Sequence, residues 1–410
     1  MADVRAEIVF LVGRLVDRDE IRSHRALADR LGRLGFATRM ICSTVGPDHG
    51  ISHLTEWPPL GRRWWFPWSS RGLEAAAGLS IEANRPRWLH VLGSGMADAG
   101  LDLAERWRLP YVLTVDEFPR RDARLRLSRA WCRGLIVTNP ELAEALARDY
   151  GVPPHFLWIV PRGIVEPERT RAESTMPRVP VIGAVGPLIP GSGFATFLNA
   201  ARRVVDLGFD AEFLLAGQGE GETDLRRRAE RLRIADRFTF VDDRTSNMTF
   251  WEVLDVYCQT SVSPTAGRSL AIAQAHGVPS IASDVEGLRS LVDGQNWGLR
   301  IAHGDPGLLA QAIVSVLSSP AQARRLSEAG RAAVLRDHNP DREAERLVEL
   351  YHQRQSPSSN LDHAPERAHR PAELATPAPT ETSGADPGLR LDPESVVTNV
   401  GSREEVDPRV

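Results

Sequence analysis

Val181-Ile182-Gly183-Ala184-Val185-Gly186-Pro187-Leu188 is a short apolar run that ends in a glycine turn. A run of this length, bounded by turn residues, reads as a strand buried on both faces, as in parallel sheets. It opens a series. Glu212 to Ala216, Phe238 to Val241, Val256 to Gln259 and Pro279 to Ala282 repeat the pattern downstream, with helical stretches between them, the clearest being Pro306 to Leu317. Upstream the same alternation has already run once. Ile8-Val9-Phe10-Leu11-Val12 reads as a first strand, and Glu20 to Leu34 as a helix with Ile21, Leu27, Leu31 and Leu34 on one stripe. Further strands are Ala37 to Cys42, Trp88 to Leu92, Tyr111 to Val115 and Gly134 to Thr138, the last followed by a helix from Pro140 to Tyr150. Two strand–helix series in succession predict an α/β protein of two doubly wound, Rossmann-like parallel-sheet domains facing a cleft.

The boundaries follow from composition. Residues 1–165 form the first domain, a segment rich in Pro, Glu, Arg and Thr links it across 166–178, and 179–335 form the second. Residues 336–354 carry a final helix, Asp341 to Tyr351. From 355 to 410 Pro, Ser, Thr, Ala, Asp and Glu dominate without apolar periodicity, so that tail is expected to be disordered. The 410 residues carry a net charge of -4, which speaks against a nucleic-acid partner. Every strong base is an arginine; there is no lysine. Cys42, Cys132 and Cys258 lie far apart, without metal-ligand spacing, and read as reduced core residues of a cytoplasmic protein. No signal peptide or run of apolar residues long enough to span a membrane is visible.

Several stretches, taken in order, resemble the nucleotide-sugar domain of family 4 glycosyltransferases. They are Ala184-Val185-Gly186-Pro187-Leu188 with Gly191-Ser192-Gly193-Phe194, then Leu214-Leu215-Ala216-Gly217-Gln218-Gly219, then Asp255-Val256-Tyr257. Ala275-His276-Gly277-Val278-Pro279-Ser280-Ile281-Ala282-Ser283-Asp284 carries the likeness furthest. In the first half, Leu109 to Val115 and the turn Val160-Pro161-Arg162-Gly163-Ile164 are similar to the acceptor domain and the interdomain turn of that family. The resemblance implies the GT-B fold, a final helix that packs back toward the first domain, a UDP-, GDP- or ADP-sugar donor and no metal.

The same likeness exposes departures. The family stabilises its leaving diphosphate with an Arg and a Lys in the first loop of the second domain, where this chain has Pro187 and Ser192. The family's two glutamates, eight residues apart, fall on Pro264 and Ile272. Its glycine pair before the first helix reads Asp17-Arg18-Asp19-Glu20, and its histidine after the Thr-containing strand reads Asp116, followed by Glu117. Carboxylates there cap the helix but repel phosphate. No catalytic set is intact, with Asp116 and Glu117 as weak acid/base candidates. Candidate donor-binding positions are Gly186, Gly191, Ser192, Gly193 and Gly217 in the glycine loops, Thr265, Gly267 and Ser269 in the turn before a helix, and Arg162 and Arg268 as replacement cations. The opposing reading of these arginines is that they are solvated or paired with carboxylates. His90, inside a strand pattern, reads as a structural histidine.

Two functions are compatible with this set. One is a pseudo-glycosyltransferase that binds a ligand or a protein partner in glycan biosynthesis; the other is an active retaining transferase with a rebuilt donor site. Trp57-Pro58-Pro59-Leu60-Gly61-Arg62-Arg63-Trp64-Trp65-Phe66-Pro67-Trp68 adds a candidate surface, because Trp beside Arg suits a membrane interface, a sugar-stacking face or a protein hot spot. If Trp57, Trp64, Trp65 and Trp68 make a peripheral membrane contact, the double substitution Trp64→Ala, Trp65→Ala weakens co-sedimentation with anionic liposomes. Unchanged sedimentation removes the membrane from consideration.

Overall fold

The computed structural model describes residues 6–15, 18–45, 51, 54–56, 85–118, 125–168, 178–241, 248–262, 267–292 and 297–354. The first half contains β1 (Ala6–Leu15), α1 (Arg18–Arg33), β2 (Phe36–Val45), β3 (Leu54–Glu56), β4 (Trp88–Leu92), α2 (Ala97–Trp107), β5 (Tyr111–Val115), β6 (Cys132–Val137), α3 (Pro140–Tyr150) and β7 (Leu157–Ile159). Its seven strands pair in the order β3-β2-β1-β4-β5-β6-β7, parallel throughout. The second half contains β8 (Val181–Val185), α4 (Phe194–Asp206), β9 (Glu212–Ala216), α5 (Glu222–Arg231), β10 (Phe238–Val241), α6 (Met248–Val253), β11 (Val256–Gln259), α7 (Arg268–Ala275), β12 (Ser280–Ser283), α8 (Arg289–Val292), β13 (Leu299–Ile301) and α9 (Pro306–Ser318). Its six strands run β10-β9-β8-β11-β12-β13, again all parallel. Two helices close the described chain, α10 (Pro320–Asp337) and α11 (Pro340–Gln353).

Each sheet reverses its winding beside its first strand, between β1 and β4 in one and between β8 and β11 in the other. Ligands of doubly wound sheets sit beyond the carboxyl ends of strands at such a switch point. Four helices start on the same device, a small polar residue followed by Pro: Asn139-Pro140, Asp305-Pro306, Ser319-Pro320 and Asn339-Pro340. The polar side chain accepts a backbone N–H of the first turn, and Pro occupies a position whose N–H has no helical partner.

The buried strands lie where the apolar runs placed them, with shifts at their ends. The run Pro279 to Ala282 becomes Ser280–Ser283, since Pro has no N–H for the ladder. The run Gly134 to Thr138 becomes Cys132–Val137, and Thr138 instead joins the turn into α3. The strands that the sequence reading passed over are β3, β7 and β13, each three residues long and each at a sheet edge, although β7 lies within the apolar run Phe156 to Val160. An edge strand pairs on one side only and needs little sequence pattern. Cys42, Cys132 and Cys258 are buried thiols. Trp57, Trp64, Trp65 and Trp68, most of the 166–178 segment and the tail from 355 lie outside the described residues.

The chain crosses between the two halves twice. It passes forward through residues 160–168 and returns between α10 and α11. Leu326 of α10 packs into the core of the second sheet, whereas Ala344, Leu347, Leu350 and Tyr351 of α11 are buried in the core of the first with Phe10, Leu31 and Trp88. The Tyr351 hydroxyl lies 2.6 Å from His90 Nδ1, and the other ring nitrogen lies 2.7 Å from Thr114 Oγ1, so both nitrogens of His90 are partnered. The two crossings are bonded to each other: Ile164 N donates to His338 O at 2.8 Å and Gly163 N donates to the Glu343 carboxylate at 2.8 Å.

Gly163 has no room for a side chain. A Cβ there would lie 2.6 Å from Pro340 Cα and 2.8 Å from Glu343 Oε2. Gly163→Ala is therefore expected to lower stability by about 1–3 kcal/mol, the range for overpacking a tight site, read as a shift in the urea midpoint. A variant as stable as the parent would show that the two crossings separate without loss.

Candidate functional site

A cavity of about 310 Å³ opens at the carboxyl ends of both sheets, on the seam between them. The first half contributes Glu20 from α1, Asp116 and Glu117 after β5, and Thr138 after β6. The second half contributes Gln259 at the end of β11 and Gly267, Arg268, Ser269 and Ile272 at the start of α7. The crossings themselves supply Arg162, Ile164 and His338. A second cavity of about 460 Å³ continues into the first half, along Val12, Gly13 and the turn after β4, and shares Glu20, Asp116, Glu117 and Arg162 with the first.

Arg162 organises this region. Its side chain is 13% exposed, and its Nη1 lies 3.4 Å from Glu20 Oε1 and 3.7 Å from Asp116 Oδ2. Its Nη2 lies 3.0 Å from His24 Nε2. His24 Nδ1 lies 2.8 Å from the Glu20 carbonyl, so Nδ1 carries the proton and Nε2 accepts from the guanidinium. Burial, with the Arg162 charge beside it, holds the His24 pKa well below the usual histidine value and keeps the ring neutral. Arg268 reaches across the seam, where its Nη2 donates to Ser23 Oγ at 2.9 Å. Among the described residues, the lining of the 310 Å³ cavity thus holds three carboxylates against two guanidiniums, a formal excess of one negative charge. His338 adds no charge, because burial lowers its pKa while its Nδ1 bonds the Arg162 carbonyl at 3.0 Å.

Of the residues singled out in the sequence, Arg162, Arg268, Gly267, Ser269, Asp116 and Glu117 meet in this one cavity. Gly186, Gly191, Ser192, Gly193 and Gly217 do not line it. Their loops close on each other instead: Gly186 N donates to Ala216 O at 3.0 Å, Leu188 N to Gln218 O at 2.8 Å, and Ser192 N to Ile189 O at 3.2 Å. These N–H groups are engaged within the protein and are not turned to an anion. Gly193 (φ 89°) seats the loop on β11, where a Cβ would lie 1.7 Å from Thr260 O. Ile272, at one position where the resemblance asks for a glutamate, puts an aliphatic side chain in the wall. Thr265 and Pro264 lie outside the described residues.

Sequence reading missed Ser23, His24 and Gln259. Ser23 and His24 stand three and four residues after Glu20 on α1, a spacing that puts all three on one helical face. That signal was available. Gln259 carried none, since its role depends on Tyr257, whose hydroxyl donates to Gln259 Oε1 at 2.5 Å, while Gln259 Nε2 donates to Ser261 Oγ at 2.8 Å.

Residues 22–166 match the family described as Glycosyltransferase Family 4, and residues 179–319 match Glycosyl transferases group 1. The chain is 27% identical to a 2-deoxystreptamine glucosyltransferase of Streptomyces kanamyceticus over 247 residues, 56% of this chain and 61% of that protein. It is 30% identical to D-inositol 3-phosphate glycosyltransferase 2 of Catenulispora acidiphila over 266 residues, again 56% of this chain and 61% of the relative. The chain thus spans about three-fifths of the length of these curated relatives. Among solved structures it is similar to HepE of Anabaena in complex with UDP and glucose, with a TM-score of 0.70 at 14% identity over 85% of this chain and 100% of that one. It is also similar to sucrose-phosphate synthase of Thermosynechococcus elongatus, with a TM-score of 0.68 at 20% identity over 85% of this chain and 99% of that one. These structural likenesses fix the fold as GT-B.

Two buried histidines and a half-buried one set an acid limit on stability. Burial lowers the pKa of His24, His338 and His90, the last to about 3, from an ordinary 6.5. Below pH 6.5 the unfolded chain binds protons that the folded chain refuses, so this stability is fully present above 6.5 and is lost as pH falls. Glu343 acts in the opposite sense, because burial raises its pKa above 4.5 and the folded state then takes up a proton, but it is one group against three. The urea midpoint is expected to fall between pH 7 and pH 5, by up to ~1.4 kcal/mol per pH unit for each histidine not offset. A flat or rising midpoint would contradict the neutral assignment.

Proposed function

This chain belongs to the family 4, group 1 glycosyltransferases, and we propose that its cleft holds a hydroxyl-rich ligand without transferring sugar from a nucleotide donor. The observation that carries this reading is the pairing of Arg162 with Glu20 and Asp116. A departing nucleoside diphosphate needs unopposed positive charge, and loss of a single such donor lowers turnover by roughly 10²–10³. Here a principal cation is offset on two sides, the cavity lining carries more carboxylate than guanidinium, and the glycine loops use N–H groups internally. The protein then acts as a binding or partner module in glycan assembly.

The same carboxylates suit a polyol. Glu20, Asp116 and Glu117 offer acceptors to several hydroxyls and attract an ammonium group. The names of the relatives point to six-membered carbocyclic polyols, 2-deoxystreptamine and the phosphorylated D-inositol 3-phosphate, as substrates of those proteins. We carry that class over to the ligand of this cleft, and the charge favours the amino-substituted member.

A second reading is an active transferase. It draws on Arg268, which stands at the start of α7 and lines the same cavity as Arg162. A guanidinium and a helix N-terminus together favour a diphosphate. Titration calorimetry on the full chain with UDP, GDP and ADP, and separately with 2-deoxystreptamine and myo-inositol, separates the two. The proposal expects polyol binding weakened by Asp116→Asn, and no nucleotide binding at millimolar concentration. Micromolar binding of one nucleotide, abolished in Arg268→Ala, would establish the transferase reading in its place.

A further inference from the structure

A separate cavity of about 260 Å³ lies on the opposite side of the forward crossing. Alternate residues of that segment divide between the two: Arg162 and Ile164 line the charged cavity, while Ile159 and Pro161 line this one. Its walls are apolar and come from both halves, with Ile159 and Pro161 facing Leu291, Trp297, Ala333 and Val334. Ile159, at the end of the edge strand β7, is 41% exposed and so presents an aliphatic side chain to this cavity.

Among the described residues the cavity offers no unpaired charge. The carboxylate of Asp337 is held by both Nε and Nη2 of Arg336, at 2.8 and 2.6 Å. The Arg336 guanidinium also lies 5.4 Å from the Trp297 ring centroid, over its face. The pKa of the half-buried His338 is lowered by desolvation. Thr138, which also lines the charged cavity, and its neighbour Asn139 are 9% and 8% exposed. Thr138 Oγ1 and Asn139 Nδ2 are buried without a hydrogen-bond partner among the described residues. Burial of such groups without a partner is costly, and a ligand that supplies one recovers that energy.

We propose that this cavity is a binding site for a small uncharged amphiphile, an aliphatic chain ending in a hydroxyl or carbonyl. The chain packs between Ile159, Leu291, Trp297 and Val334, and the oxygen turns to Thr138 and Asn139. A phosphate or nucleotide is excluded, because no cation lines the cavity among the described residues. A flat polar sugar is excluded as well, because it would leave most of its hydroxyls against aliphatic side chains. The site is independent of what the charged cavity binds.

The test uses the full chain and N-phenylnaphthylamine, an uncharged apolar fluorophore, with n-decanol as competitor. Saturable one-to-one binding that n-decanol displaces is expected. Ile159→Gln and Trp297→Ala should each weaken it by about ten-fold, the effect of losing one good apolar contact, with melting temperatures unchanged. Leu207→Gln, which alters an exposed leucine elsewhere (58% exposed), should leave binding as it was. Should either variant unfold, Ser290→Phe fills the cavity from its rim and should abolish binding in a folded protein. The proposal is overturned if the folded parent shows no saturable binding, or if the variants that remain folded bind as tightly as the parent.

Discussion

The bond between Gly163 N and the buried carboxylate of Glu343 is the constraint on which the rest of the molecule depends. It joins the forward crossing of the chain to the helix that returns. Desolvation raises the pKa of Glu343, and the adjacent charge of Arg162 and the Gly163 N–H oppose that rise. A buried acid is tolerated only with such partners. Because Gly163 presents no Cβ, Pro340 approaches closely enough for α11 to enter the core of the first sheet. The position of Arg162, one residue before Gly163, follows from that docking.

Arg162 shows how one side chain serves both stability and site chemistry. Placed 13% exposed at the seam, it needs counter-charges, and Glu20 and Asp116 provide them from two different elements of the first half. The pairs hold the crossing to that half. They also fix the sign of the field in the cavity, since a cation satisfied twice leaves little attraction for a phosphate. Magnitude supports this order of importance. Breaking a fully buried pair costs about 3–5 kcal/mol; Glu20 and Asp116 are each 29% exposed, so drawing Arg162 away costs a ligand less than that, though still a penalty. His24 deepens the effect: as a neutral acceptor on Nη2, it occupies the remaining face of the guanidinium without adding charge.

The fold was largely legible in the sequence because its buried strands are continuous apolar runs, and such runs survive in any parallel sheet covered on both faces. Trp88–Leu92, Tyr111–Val115 and Val256–Gln259 begin and end where hydropathy alone puts them. The edge strands β3 and β13 carry no such pattern, because pairing on one side demands little of the sequence, whereas β7 lies in the apolar run Phe156 to Val160 and was legible. The site was legible in part. Arg162 and Arg268 were visible as cations at positions that a cleft would use, and the absent lysine and glutamates were visible as substitutions. What no single stretch shows is that Arg162 is matched by Glu20, 142 residues away, and by Asp116. Charge balance in the cleft is a property of the folded chain.

Two covalent crossings join the halves side by side, bonded through Ile164 N and His338 O. The charged cavity and the apolar cavity both border the forward crossing and share Thr138 and His338. One wall thus serves two rooms, and a substitution at either shared residue reshapes both at once.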